Sequence, residues 1–313
     1  MTRWRQGDIN LVVNREKEGF AHSFNIVHGS AVCALGPRRR RRGGHLRACA
    51  RCCSTQPFRQ AVGPGELDIP AVRGVGGSLV YFLDPTSELG RVWDIEFDDT
   101  GEPAGNDAGL TTVDHISQSM QYEEMLTWLL FYTSLLDLKK IAPQDVARSR
   151  RAGAAARWSS RPTAALRIVL NASQSQRTAI VALPHASCSA PACSTSPSPP
   201  TTSWRPWRGW RQTACALLPI PENYYDDLEA KTDLPADQLD ALKAHNILYD
   251  REGDAEYLQV YTETFDQRFF FEIVQRRGYR GYGAANAPVR LGRAGPPVSG
   301  WQRARRLIRP SLR

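Results

Sequence analysis

No apolar run among the 313 residues approaches the roughly 18 that a membrane-crossing helix needs, which excludes a spanning helix and predicts no membrane partner. The opening MTRWRQGDINLVVN lacks the apolar centre of a secretory leader. Nothing else signals export, so a cytoplasmic location is expected. The strand-like INLVV follows almost at once, as if the chain began mid-domain. Lysine and acid are absent from four stretches, 37–57, 147–163, 179–216 and 292–313, which together hold 21 arginines. Outside them, 19 basic residues face all 32 acidic ones. The formal charge of +8 is therefore not one basic surface but an acidic protein interrupted by arginine-rich segments. Those segments also hold Cys49, Cys52, Cys53, Cys188 and Cys193, with Cys215 at the edge of one.

What remains reads as an ordinary globular sequence; the whole chain is 42% hydrophobic and, at 313 residues, long enough for one large or two ordinary domains. INLVV, FNIVHG, AVCALG and VGGSLVYFLD predict strands in the first quarter, with DPTSELG a turn. EFDDTGEPAGNDAG (96–109) predicts an exposed linker between an N-terminal half, 1–95, and a C-terminal half, 108–291. LTTVDHI (110–116) and LRIVLN (166–171) predict strands. QYEEMLTWLLFYTSLLDLKK (121–140) predicts a helix, acidic at its start and ending on lysines, as the helix dipole favours. Helices are expected after LLPIP and over DQLDALKAHN (237–246), then strands over ILYD, EYLQVYT and RFFFEIVQ. The second half thus reads as repeated βαβββ-like units, an α+β order rather than a doubly wound parallel sheet.

RFFFEIVQRRGY (268–279) raises a chemical question. In a strand, Phe270, Glu272 and Val274 share one face and Phe269, Phe271 and Ile273 the other; neither face is polar. A buried carboxylate has to be paired, protonated or metal-bound. His115, predicted to share a face with Val113, reads alone as a core histidine, and Glu272 alone as one half of an ion pair. Together, on strands of successive units, they suit the two-imidazole, one-carboxylate face that binds Fe(II) and leaves positions open for substrate and oxygen. A second histidine is required, and only His185 and His245 follow His115.

The tail ILYDREGDAEYLQVYTETFDQRFFFEIVQRRGYRGYGAANAPVRL resembles the C-terminal end of 4-hydroxyphenylpyruvate dioxygenases. LTTVDHISQSMQYEEMLTWLLFYTSLLDL resembles their first metal-binding strand and helix, and RIVLNASQSQ their substrate-side strand. The resemblance is nearest to the dioxygenase-like C-terminal half of bacterial fusions whose other half is a 3-dehydroshikimate dehydratase. It implies the vicinal-oxygen-chelate fold, four βαβββ modules in two halves. It also implies Fe(II) held by His115, a second histidine and Glu272. Asn171 and Gln259 match polar residues facing the substrate, and Phe270 an aromatic beside it; Tyr261 stands where these enzymes usually have Phe. The implied chemistry joins a 2-oxo acid and O2: oxidative decarboxylation, ring hydroxylation and side-chain migration to homogentisate. Nucleic acid is not an expected partner, and homo-oligomerisation is left open.

The family's second histidine lies in a strand like VQHIAFATDD, where this chain has ACSTSPSPPTTS (192–203). Pro197, Pro199 and Pro200 predict that this stretch is no central strand. A coding string for it, read two nucleotides later, gives Val-Gln-His-Ile-Ala-Phe-Ala-Thr-Asp-Asp-Ile, with the histidine overlapping the codons of Ser194 and Thr195. The histidine is thus expected at Ser194 and missing. By the same device PRRRRRGGHLRA (37–48) yields a plausible helix start, and RSRRAGA (148–154) can read Asp-Pro-Ala-Gly-Leu-Val-Gln. The four stretches are accordingly read as frame-shifted translation and expected to be poorly structured. On that reading Arg38–Arg42 is not a nucleic-acid patch, Cys49-x-x-Cys52-Cys53 is not a zinc site, and WRPWRGW (204–210) is not a membrane segment. The tail 292–313 falls in the same class, and little or no oxygenase activity is expected of the chain as written.

Overall fold

The computed structural model describes residues 1–38, 57–60, 62–101, 109–136, 138–145, 154–159, 166–173, 189–195, 216–265, 269–287 and 289. Strands β1 (Thr2–Gln6) and β2 (Ile9–Val13) form a hairpin. Its turn rests on the start of the central strand: Asp8 N–H donates to the Thr111 carbonyl at 2.8 Å. Gly7 takes φ +54°, and a Cβ there would lie 2.6 Å from that carbonyl oxygen. Helix α1 (Gly19–His28) occupies the residues expected to form the strand FNIVHG. The helical period explains the reversal. Phe20, Phe24 and His28 recur every fourth residue and their rings meet in sequence, at 5.8 and 4.2 Å.

A four-stranded sheet follows, in the order β3 (Ala34–Leu35), β6 (Leu79–Tyr81), β5 (Ala71–Arg73), β4 (Pro57–Phe58). The strand expected over VGGSLVYFLD is shorter than its pattern, because Val75–Gly77 turns as a 3-10 segment. DPTSELG is not only a turn: Ser87 caps a 3-10 helix, Glu88–Arg91, that runs into α2 (Val92–Ile95).

The second half has the module order expected from its pattern. β7 (Leu110–Gln121), α3 (Met125–Leu136), β8 (Lys139–Asp145), β9 (Ala154–Ser159) and β10 (Arg167–Ser173) make one unit. β11 (Ser189–Thr195), α4 (Glu222–Glu229), α5 (Ala236–Ala244), β12 (Leu248–Glu252), β13 (Ala255–Tyr261) and β14 (Glu272–Arg277) make the other. All eight strands form one sheet, in the order β12-β13-β14-β11-β7-β10-β9-β8. In each unit the last strand runs parallel to the first, β10 beside β7 and β14 beside β11. The two first strands meet antiparallel at the centre. Phe131, Tyr132, Leu135 and Leu136 of α3 cover one unit, and Tyr225, Leu228 and Leu242 of α4 and α5 cover the other.

Three further expectations are corrected. Lys139 and Lys140 do not end helix α3; they open strand β8. RFFFEIVQ is a strand only from Glu272; Phe269 instead pairs antiparallel with Phe265. Residues 154–159 and 189–195, both inside arginine-rich stretches, form strands. Ser189–Thr195 lies between β7 and β14, contrary to the expectation for 192–203; it ends before Pro197, so the three prolines cited against a central strand fall outside it. Pro191, which cannot donate to the ladder, does lie within it, and the pairing with β7 shifts register twice. Apart from Pro37, Arg38, Pro57 and Ala216 at their ends, the remainder of the four stretches, with His185, Pro197, Pro199 and Pro200, lies outside the described residues.

Candidate functional site

Register builds the site before any side chain is considered. Ala192 of β11 pairs with His115 on β7 and with Glu272 on β14, so these three positions form one row across the sheet centre. His115 and Glu272 are two strands apart, yet His115 Nε2 and Glu272 Oε2 approach to 3.4 Å over that row. Both side chains are buried, 4% and 6% exposed.

The adjacent residue sets the histidine. Residues 192 and 193 of β11 pair with His115 and Val113, leaving Asp114 as the extra residue of a β-bulge. Strict alternation would send Asp114 and His115 to opposite faces, and would put His115 and Val113 on the same one. The bulge instead brings Asp114 Oδ1 to 2.8 Å from His115 Nδ1. Arg276 of β14 reaches across β11 and grips the same carboxylate twice, Nε to Oδ2 and Nη2 to Oδ1, each at 2.7 Å. Arg167 adds a third contact at 3.2 Å. Tyr257 hydroxyl donates to Glu272 Oε1 at 3.1 Å. The Arg276 guanidinium lies over the rings of Tyr257 and Tyr282, 4.6 and 5.0 Å from their centroids. Tyr282 in turn meets the His115 ring edge-on at 5.0 Å. One guanidinium is thus linked to both central side chains, through Asp114 to His115 and through Tyr257 to Glu272.

Charge follows geometry. Burial opposes ionisation of Asp114, but hydrogen bonds from His115 and Arg276 outweigh it and hold the carboxyl below its ordinary range. Burial likewise disfavours a charged His115, and the facing Glu272 and Asp114 reverse the sign, raising it. Burial, reinforced by Glu272, pushes the Tyr257 phenol well up, so it stays a donor.

The other expected residues divide. Gln259 is fully buried and pairs in register with Val274. Its amide donates to Tyr261 hydroxyl at 2.6 Å, and its carbonyl oxygen accepts from Asn286 Nδ2 at 3.4 Å. Phe270 packs edge-on against Tyr261, ring centroids 5.8 Å apart. Gln259, Tyr261, Phe270 and Glu272 are therefore neighbours. Asn171 is level with Ser119 of β7 and donates to Ser117 Oγ at 2.6 Å. Four strand residues, about 13 Å, separate that row from His115, so the structure does not bring Asn171 to the His115–Glu272 contact. His245 caps the end of α5. Ser194, the expected place of the second histidine, pairs with Thr112 and Val274 rather than with His115 and Glu272. Sequence reasoning missed Asp114, Arg276 and Tyr257. The only available signal for Asp114 was an acid directly before the histidine, and the bulge that makes it useful has no sequence mark.

Two right-angled ligands with bonds of about 2.1 Å lie about 3 Å apart, close to the observed 3.4 Å. An imidazole whose Nδ1 is held by a carboxylate presents Nε2 as the metal-binding nitrogen. His115 and Glu272 thus fit two positions of an Fe(II) centre. Among the described residues no group of three His, Cys, Asp or Glu side chains could hold a metal. The described residues do not fit the complete facial triad.

Residues 1–98 match the family described as hydroxyphenylpyruvate dioxygenase, HPPD, N-terminal. The chain is 38% identical to a 3-dehydroshikimate dehydratase of Pseudomonas aeruginosa, over 92% of its own length and 45% of that protein. It is 28% identical to a 4-hydroxyphenylpyruvate dioxygenase of the same organism, over 90% of its own length and 79% of that protein. These matches make the chain HPPD-like in sequence and in fold. A solved xylose isomerase-like TIM barrel/4-hydroxyphenylpyruvate dioxygenase fusion protein superposes on it with a TM-score of 0.73 at 37% identity, covering 93% of this chain and 46% of that one. The α+β fold of this HPPD-like chain is the expected vicinal-oxygen-chelate architecture. The chain spans less than half the length of the dehydratase and the fusion. Among its described residues no helix is long and apolar enough to cross a membrane.

Proposed function

We propose that this chain is an HPPD-like oxygenase domain whose Fe(II) site is incomplete, so that it turns over 4-hydroxyphenylpyruvate to homogentisate weakly or not at all. The observation that carries the reading is the 3.4 Å approach of His115 Nε2 to Glu272 Oε2 at the sheet centre. Iron supplies such a site with a place for a 2-oxo acid and O2 when three protein ligands hold it; this chain's described residues offer two. Gln259 and Phe270 are assigned to the substrate side because they adjoin Glu272. Asn171 is assigned there by resemblance alone. The arginine-rich stretches are read as out-of-frame translation of a gene whose intended product carries the second histidine.

The purified chain, loaded with Fe(II) without oxygen and then given 4-hydroxyphenylpyruvate and O2, should form no homogentisate above background. Turnover at ordinary enzyme rates, about 1–10³ per second, would overturn the impairment. Resequencing codons 140–217 tests the frame: single-base insertions or deletions that vanish on resequencing support it, and DNA unable to encode VQHIAFATDD sinks it.

A second reading has its own support. Identity to the dehydratase is 38%, against 28% to the dioxygenase. On this reading the chain is the dioxygenase-like domain of a bifunctional 3-dehydroshikimate dehydratase. Genomic DNA upstream of Met1 that encodes an isomerase-like barrel in frame favours it, and its absence removes it.

A further inference from the structure

The one position between His115 and Glu272 in their row is Ala192, while Tyr261 pairs with Glu272 on its far side. Neighbouring strands lie about 4.8 Å apart and residues along a strand about 3.3 Å. Position 192 is therefore one strand from each side chain and level with both. Ser194, where translation in the alternative frame sets the histidine, is two residues further on, in the row of Thr112 and Val274. The two flanking side chains are braced from β7, β13 and β14. Arg276 ties Asp114 and so His115 from one side, and Tyr257 ties Glu272 from the other.

We infer that position 192, not 194, is where a third ligand completes the His115–Glu272 pair, and that Ala192 limits this chain to a preset two-ligand half-site for a divalent cation. The inference rests on the ligand roles proposed above for His115 and Glu272. Two imidazoles and a carboxylate on one face would make a site for a borderline divalent ion such as Fe(II) or Co(II). An alanine offers no donor, so this chain should hold such an ion weakly.

Co(II) is the probe, read by its visible absorption and by calorimetry on the full chain, with circular dichroism checking the fold. Ala192→His should bind one Co(II) per chain. The gain in affinity over the unaltered chain should exceed the roughly 10–100-fold that an outer-shell partner is worth. Ser194→His should bind no better than the unaltered chain. Tight binding by Ser194→His but not Ala192→His would overturn the register assignment. A folded Ala192→His with no gain would overturn the half-site. The ligand reading is tested separately: Ala192→His/His115→Ala and Ala192→His/Glu272→Gln should each lose the gain, and a gain that survives both would refute those roles whatever the register. Should Ala192→His fail to fold, free imidazole supplies the missing donor to the unaltered chain. It should strengthen Co(II) binding there and not in Glu272→Gln, and no strengthening would count against the inference.

Discussion

Arg276 is the residue on which the site depends most. It is mostly buried, makes two 2.7 Å contacts to Asp114 and lies over two tyrosine rings. Arg276→Met leaves the Asp114 carboxylate with the weaker contacts of Arg167 and His115. The loss of stability should be about 3–5 kcal/mol by denaturant unfolding. The double variant Asp114→Asn/Arg276→Met should lose less than the sum of the two single changes, because the stranded charge is gone. Asp114 also sets the acid limb. Its folded-state pKa lies below the ordinary 3.8, so its contribution is complete above that value. As pH falls further the unfolded chain takes the proton first, and stability is lost until the folded carboxyl also titrates. The midpoint of thermal unfolding should therefore drop below about pH 4, and Asp114→Asn should flatten that drop. A variant with the same acid limb as the unaltered chain would disprove Asp114's share of it.

At the scale of elements, β11 is the weak member of a strong sheet. It carries Pro191 and two register shifts between strands that pair regularly elsewhere. Amide hydrogen exchange across Ser189–Thr195 should be faster than across β13, which pairs on both sides without a shift; equal protection would refute the ranking. The β1–β2 hairpin makes a sharper case. Gly7 has φ +54°, and its missing Cβ leaves room for the Thr111 carbonyl. Gly7→Ala should cost more than about 1 kcal/mol and speed exchange of the Asp8 amide, which donates to the Thr111 carbonyl. A neutral outcome would mean that the hairpin is not docked through its turn. The α1 reversal belongs to this scale too. FNIVHG is rich in residues that favour strands, but propensity is a weak prior. The ring spacing of Phe20, Phe24 and His28 decided for the helix, and Ile26 and Val27 were left 70% and 67% exposed.

At the scale of the whole molecule, each unit closes first strand against last, and the two first strands meet. That topology is why residues far apart in sequence, His115 and Glu272, come into contact at the junction. Their strands and chemical character were legible locally: an apolar pattern names a strand, and a carboxylate between phenylalanines has to be accounted for. The composition of the chain likewise exposed the arginine-rich stretches without any structure. The partners of the site were not legible, because Arg276 reaches Asp114 from 162 residues away.

The helices of the second half and its strands other than β8, β9 and β11, the α+β class and the two central side chains were determined by the sequence itself, since they follow from period, polarity and residue chemistry along short windows. Only the tertiary structure decided that a bulge turns Asp114 toward His115 and that one guanidinium braces both sides. It alone placed Ala192, rather than Ser194, in the row between them. Those facts depend on register between strands, and register is a property of pairs that no single stretch of sequence contains.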